Sequence, residues 1–138
     1  MALISGLAHV NLTVPPGTLD QAAEFYGKTL GLTQSPVPQL QRDRLAWFNI
    51  STSGQQIHIA FGPPDPTPSS RHPCFKIDSA EKLLELRKKI YEHFEKGGDA
   101  APKEADKPGE ESSGAKGVEY PTRFFARDYA GNRLEFSL

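Results

Sequence analysis

The chain has 138 residues, the length of one domain or of two small half-domains sharing a core. Sixteen Lys and Arg against 17 Asp and Glu leave a net charge of −1, which points away from nucleic acid and anionic membranes as partners. No apolar run approaches the roughly 20 residues of a bilayer span, and the N-terminus lacks a signal-peptide pattern. The single cysteine, Cys74, excludes an internal disulfide framework and fits a reducing, cytoplasmic setting.

The first element is Leu7–Val14, which alternates cleanly. Ala8, Val10, Leu12 and Val14 share one face; His9, Asn11 and Thr13 share the other. After two prolines, Thr18-Leu-Asp-Gln21 reads as a capping box. It opens a helix carrying Leu19, Ala22, Ala23, Tyr26 and Leu30, with Gly31 as its C′ residue. A short weak strand is expected near Leu32–Ser35. Arg44–Ser51 and Gln55–Phe61 then form a hairpin, with Ile57, Ile59 and Phe61 on one face and Gln56, His58 and Ala60 on the other. The proline-rich stretch 63–71 reads as a stiff linker.

The second half repeats this order. His72–Asp78 reads as a strand, with His72, Cys74 and Lys76 on its polar face. Asp78-Ser-Ala-Glu81 caps a helix with Leu83, Leu86, Ile90 and Phe94 as its apolar stripe, and Gly97 ends it. The segment 96–117 contains no Val, Ile, Leu, Met, Phe, Trp or Tyr, but five Gly, two Pro and nine charged residues. By composition it reads as a flexible surface loop, and the low mean hydropathy of −0.51 owes much to it. A weak strand is expected near Gly117–Tyr120. Thr122–Arg127 and Arg133–Leu138 form the last hairpin, with Arg133, Glu135 and Ser137 opposite an apolar row. The expectation is an α+β fold: one domain of two βαβββ modules, about 1–62 and 72–138, in a curved, mostly antiparallel sheet.

His9, His58, His72 and Glu135 each lie on a strand face opposite an apolar row. Helices packing on the apolar faces would leave the polar faces to line a concave interior. Imidazoles and a carboxylate converging there suit Zn, Fe, Mn, Co or Ni as a divalent ion. A lone histidine on a strand is ordinarily just solvent-facing; three of four at matching places in a repeat point further. His93, on the polar face of the second helix, reads as an ordinary surface residue. Cys74 reads as small filler.

The stretches LAHVNLTV, AEFYGKTLGL, QQIHIAFG, HPCFKID and RDYAGNRLEF carry a resemblance. The chain resembles the vicinal oxygen chelate superfamily, which includes glyoxalase I, type I extradiol dioxygenases and the fosfomycin and bleomycin resistance proteins. The resemblance implies metal ligands at His9, His72 and Glu135, with His58 as a fourth ligand or a general acid/base. It implies chelation of two adjacent substrate oxygens by the metal, and a homodimer. Asn11, Trp47, Asn49, Lys76, Arg123 and Phe125 are the candidate substrate-binding residues. The plainer roles are filling for Trp47 and snorkelling to water for Lys76 and Arg123.

Two departures narrow the subfamily. Extradiol enzymes carry a Tyr where Phe125 stands, and glyoxalase I carries a carboxylate where His58 stands. The potassium loop of the fosfomycin resistance proteins has no counterpart here. The expected function is a metal-dependent lyase, isomerase or dioxygenase acting on a small oxygen-bearing molecule. The alternative is a non-catalytic protein that sequesters a drug, as the bleomycin resistance proteins do.

Overall fold

The computed structural model describes residues 1–63, 69–114 and 122–138. The chain divides into two compact units, Met1–Pro64 and Asp65–Leu138.

In the first unit, β1 (His9–Val14) is followed by a helix and three strands: β2 (Thr33–Ser35), β3 (Leu45–Asn49) and β4 (Gln56–Phe61). The sheet order is β1-β4-β3-β2, with β1 parallel to β4 and the other pairs antiparallel. Ala46 and Phe48 of β3 and Ile57 and Ile59 of β4 are buried on one face, together with Ala22, Phe25 and Tyr26 of the helix. The opposite face is left with the polar residues of the period-2 pattern.

The helix differs from the expectation at its start and along its length. Thr18 makes no side-chain cap; its Oγ1 donates instead to the Pro15 carbonyl at 2.6 Å. Only Leu19–Ala22 (α1) is α-helical, and Ala23–Thr29 continues as a π-helix. That wider winding leaves Phe25, Tyr26 and Thr29 all buried. Gly31, at φ 78°, ends it as expected, with the Leu32 N–H donating to the Tyr26 carbonyl at 3.0 Å.

The second unit repeats the topology. Strands β5 (Cys74–Lys76), β6 (Glu104–Ala105), β7 (Arg123–Arg127) and β8 (Arg133–Ser137) lie in the order β5-β8-β7-β6, again with the first pair parallel. Strand β5 is shorter than the expected 72–78. Pro73 has no N–H to give the ladder, so His72 lies just ahead of the strand, and the Pro73 carbonyl accepts from Glu135 N at 3.1 Å. Helix α2 (Ala80–Lys96) is capped by Ser79, one residue later than expected. The Ser79 side chain accepts from the Lys82 N–H. Leu83 and Ile90 are buried, but Phe94 is exposed.

The segment expected to be structureless is hydrogen-bonded through its described part, 97–114. It contributes β6, which pairs with β7. Asp106 Oδ2 accepts from Phe125 N at 2.8 Å and from Ser113 N at 3.1 Å. Arg87 donates to the Lys107 and Glu110 carbonyls, each at 2.7 Å. Ala100 and Pro102 are buried. Composition misleads here because polar bonds, rather than large apolar side chains, hold the segment. The weak strand expected at 117–120 lies outside the described residues, as does most of the linker. Among the described residues, no helix is long and apolar enough to cross a membrane.

Candidate metal centre

In the second unit the β7–β8 turn is organised by Asp128, fully buried, whose Oδ1 accepts from the Ala130 and Asn132 N–H groups at 2.9 Å. This sets the register that places Glu135 between Phe125 on β7 and Cys74 on β5. His72 Nε2 lies 2.8 Å from Glu135 Oε1. The other ring nitrogen, Nδ1, lies 2.7 Å from the Ser70 carbonyl. A carbonyl can only accept, so Nδ1 carries the proton. In the neutral ring the lone pair then sits on Nε2, facing a carboxylate oxygen.

Two lone pairs at that separation need a cation between them, a proton or a metal ion. An imidazole that donates one N–H to a backbone carbonyl and aims the other nitrogen beside a carboxylate is the usual arrangement of a metal-binding histidine. The donor set therefore fits a divalent ion. Arg123 Nη1 approaches Glu135 Oε2 at 3.4 Å. Burial pushes the Glu135 carboxyl up, but the His72 and Cys74 hydrogen bonds and the Arg123 charge outweigh it and hold it below the usual range. The Cys74 thiol is pushed up to about 11 by burial and by Glu135, so it stays protonated and unreactive near neutral pH. The Phe125 ring packs edge-on against His72 at 5.6 Å.

In the first unit three rings form a stack. His9 lies on His58 at 3.8 Å between centroids, and His58 on Trp47 at 4.4 Å, each pair within 9° of parallel. Both faces of the His58 ring are thus covered. Its Nε2 donates to Gln56 Oε1 at 2.8 Å, while Gln56 Nε2 donates to Asn49 Oδ1 at 2.8 Å. The only edge nitrogen of His58 left to act is Nδ1. Burial and the neighbouring His9 both lower its pKa, which favours the neutral, lone-pair-bearing ring.

The expected site residues therefore fall into two groups. His9, His58, Trp47 and Asn49 come together in the first unit, with Asn11 in register opposite His58. His72, Glu135, Arg123 and Phe125 come together in the second. Lys76 stands exposed on β5, opposite Ser137. Among the described residues, no three His, Cys, Asp or Glu side chains form a ready metal cluster. Sequence reasoning missed Gln56, although its i, i+2 spacing to His58 put both on one strand face. It also missed Asp106 and Arg133.

No protein-family model matches the chain, and no curated protein matches it. Solved structures do. A protein described as of the glyoxalase family from Bacillus anthracis is 26% identical, over 99% of this chain and 96% of that one, at a TM-score of 0.67. The fosfomycin resistance protein FosX from Listeria monocytogenes is 18% identical, over 98% and 91%, at a TM-score of 0.71. A variant of that protein, 17% identical over 98% and 90% at a TM-score of 0.71, is a complex with Mn(II) and 1S,2S-dihydroxypropylphosphonic acid. Glyoxalase family proteins and FosX belong to the vicinal oxygen chelate superfamily, and this chain has that superfamily's α+β fold.

Proposed function

We propose that this chain, built on the vicinal oxygen chelate fold, is a metal-dependent enzyme that binds a small molecule through two adjacent oxygens. In this reading His72 and Glu135 hold a divalent ion (Mn, Fe, Zn, Ni or Co) and His9 completes the ligand set. The observation that carries it is the His72–Glu135 pair, an imidazole nitrogen 2.8 Å from a carboxylate oxygen, with the histidine's other nitrogen tied to a backbone carbonyl.

A bound divalent ion would act as a Lewis acid toward charge developing on the substrate oxygens. The chain's own groups do the rest. Ser70 fixes the His72 tautomer, and Arg123 steadies the Glu135 carboxylate. Phe125 supplies an apolar edge against the His72 ring. His58 is either a fourth ligand or the group that moves a proton, in both cases through Nδ1, because Nε2 is committed to Gln56. The lyase, isomerase and dioxygenase chemistries share this arrangement. A homodimer belongs to the same reading, and light scattering should give twice the chain mass of 15.2 kDa.

The test is metal binding by the purified protein, followed by titration and elemental analysis. Wild type should bind one divalent ion per chain, and His72→Ala and Glu135→Gln should each lose it. His9→Ala should lose it too if His9 is a ligand. A wild-type protein that binds no divalent ion overturns the reading in favour of a non-catalytic binding protein.

A further inference from the structure

On the polar face of the second sheet, Arg123, Phe125 and Arg127 of β7 lie beside Arg133, Glu135 and Ser137 of β8. Arg127 and Arg133 stand directly opposite each other, an arrangement in which like charges repel. Arg127 is answered: its Nε meets Glu104 Oε2 at 3.2 Å and its Nη1 donates to the Gly131 carbonyl at 2.9 Å. Arg123 meets Glu135. The Arg133 guanidinium lies over the Phe125 ring, 4.3 Å from its centroid, and its Nε is buried with no acceptor. No carboxylate pairs with it among the described residues.

Arg133 borders a small cleft of about 100 Å³, together with Phe125, Arg127, Glu104, Asp106 and Ser113. The two carboxylates in that cleft are already engaged. Glu104 is held by Arg127, and Asp106 Oδ2 accepts from the Phe125 and Ser113 N–H groups. A guanidinium stacked on an aromatic ring has its donor fork held in one plane, suited to an incoming oxyanion.

We infer that Arg133 anchors an anion subsite, which receives the carboxylate, phosphate or phosphonate group of a small molecule. Arg133 lies two residues before Glu135 on the same strand face, roughly 7 Å along β8. The Phe125 ring under the Arg133 guanidinium also packs edge-on against His72, which makes the subsite a neighbour of the His72–Glu135 pair. The subsite goes beyond the metal reading and does not depend on it.

Chelator-treated protein is titrated with inorganic phosphate and, separately, with acetate, replacing chloride at constant ionic strength. The Phe125 ring and arginine Nε–H resonances are followed by NMR. Saturable shifts with at least one oxyanion are expected. A response to phosphate alone assigns a phosphate or phosphonate ligand, and a response to acetate assigns a carboxylate. Arg133→Gln should abolish binding. Arg133→Lys, which keeps the charge but not the fork, should weaken it on the order of tenfold. Should Arg133→Gln fail to fold, the lysine variant decides. Wild-type protein without saturable shifts, or Arg133→Lys binding as tightly as wild type, overturns the proposal. Mn(II) titration of the same proteins reads the metal site separately.

Discussion

His58 and Glu135 hold the same register position in two identically ordered sheets. His58 lies on β4 between Asn11 of β1 and Trp47 of β3; Glu135 lies on β8 between Cys74 of β5 and Phe125 of β7. His9 and His72 each stand two residues ahead of the first-strand member of that trio. The repeat thus extends from element order to the individual positions that carry the chemistry.

This equivalence makes His58→Glu informative. If His58 is a ligand, the glutamate variant should retain divalent metal while His58→Ala loses it. If His58 moves a proton, both variants should keep the metal and lose turnover. Elemental analysis of the two purified variants separates the outcomes.

The Gln56 amide should set the His58 tautomer. In wild type the proton is expected on Nε2, facing Gln56 Oε1. Gln56→Leu removes that acceptor, so the tautomer preference should fall while the ring stack remains. Long-range proton–nitrogen NMR reports the tautomer directly, and an unchanged spectrum would refute the assignment.

The His58 pKa is lowered from 6.5, first by burial and then by His9. A histidine whose folded pKa lies below its unfolded value destabilises the fold as it is protonated. Its contribution to stability is therefore intact above pH 6.5 and is lost as pH falls through the folded pKa. His9→Gln removes the second cause, so the His58 pKa should rise toward 6.5 and the acid-side loss of stability should shrink. Proton NMR titration and melting curves between about pH 5 and pH 8 check both signs.

Gly114 packs against the site side of β7. A Cβ there would run into the Phe125 ring and come within 2.9 Å of Arg123 Nη2. Gly114→Ala should displace Phe125 from His72 and cost about 1–3 kcal/mol of stability. Urea unfolding measures the cost. A variant as stable as wild type, with unshifted His72 resonances, would show that the contact is not maintained.

Asp106→Ala should strand two backbone N–H groups, those of Phe125 and Ser113. The expected loss is about 1–3 kcal/mol. Amide exchange at Ser113 should accelerate more than exchange at Ile90 in the α2 core, because the bond that anchors the 97–114 segment is gone.

Much of the fold was legible because strand alternation is a local property. The buried Ile57 and Ile59 and the polar-face Gln56 and His58 follow from period 2 alone, as do Leu134 and Phe136 against Glu135. Other features were not legible because they depend on partners far along the chain. Strand β6 exists because Asp106 reaches Phe125, 19 residues away. The shift of the α2 cap to Ser79 was decided by which side chain actually reached a free N–H, a choice that the pattern Asp78-Ser79 leaves open.

The amino-acid sequence by itself determined which residues face the core, which strands repeat, and that His9, His58, His72 and Glu135 lie on polar faces. Those follow from backbone periodicity and the exclusion of apolar side chains from water. Only the tertiary structure decided that His72 Nε2 meets Glu135, that His58 is sandwiched between His9 and Trp47 with Nε2 committed to Gln56, and that Arg133 has no carboxylate partner among the described residues. Hydrogen bonds, ring stacking and ion pairs depend on distances of a few ångströms between residues remote in the chain, and no local pattern encodes them.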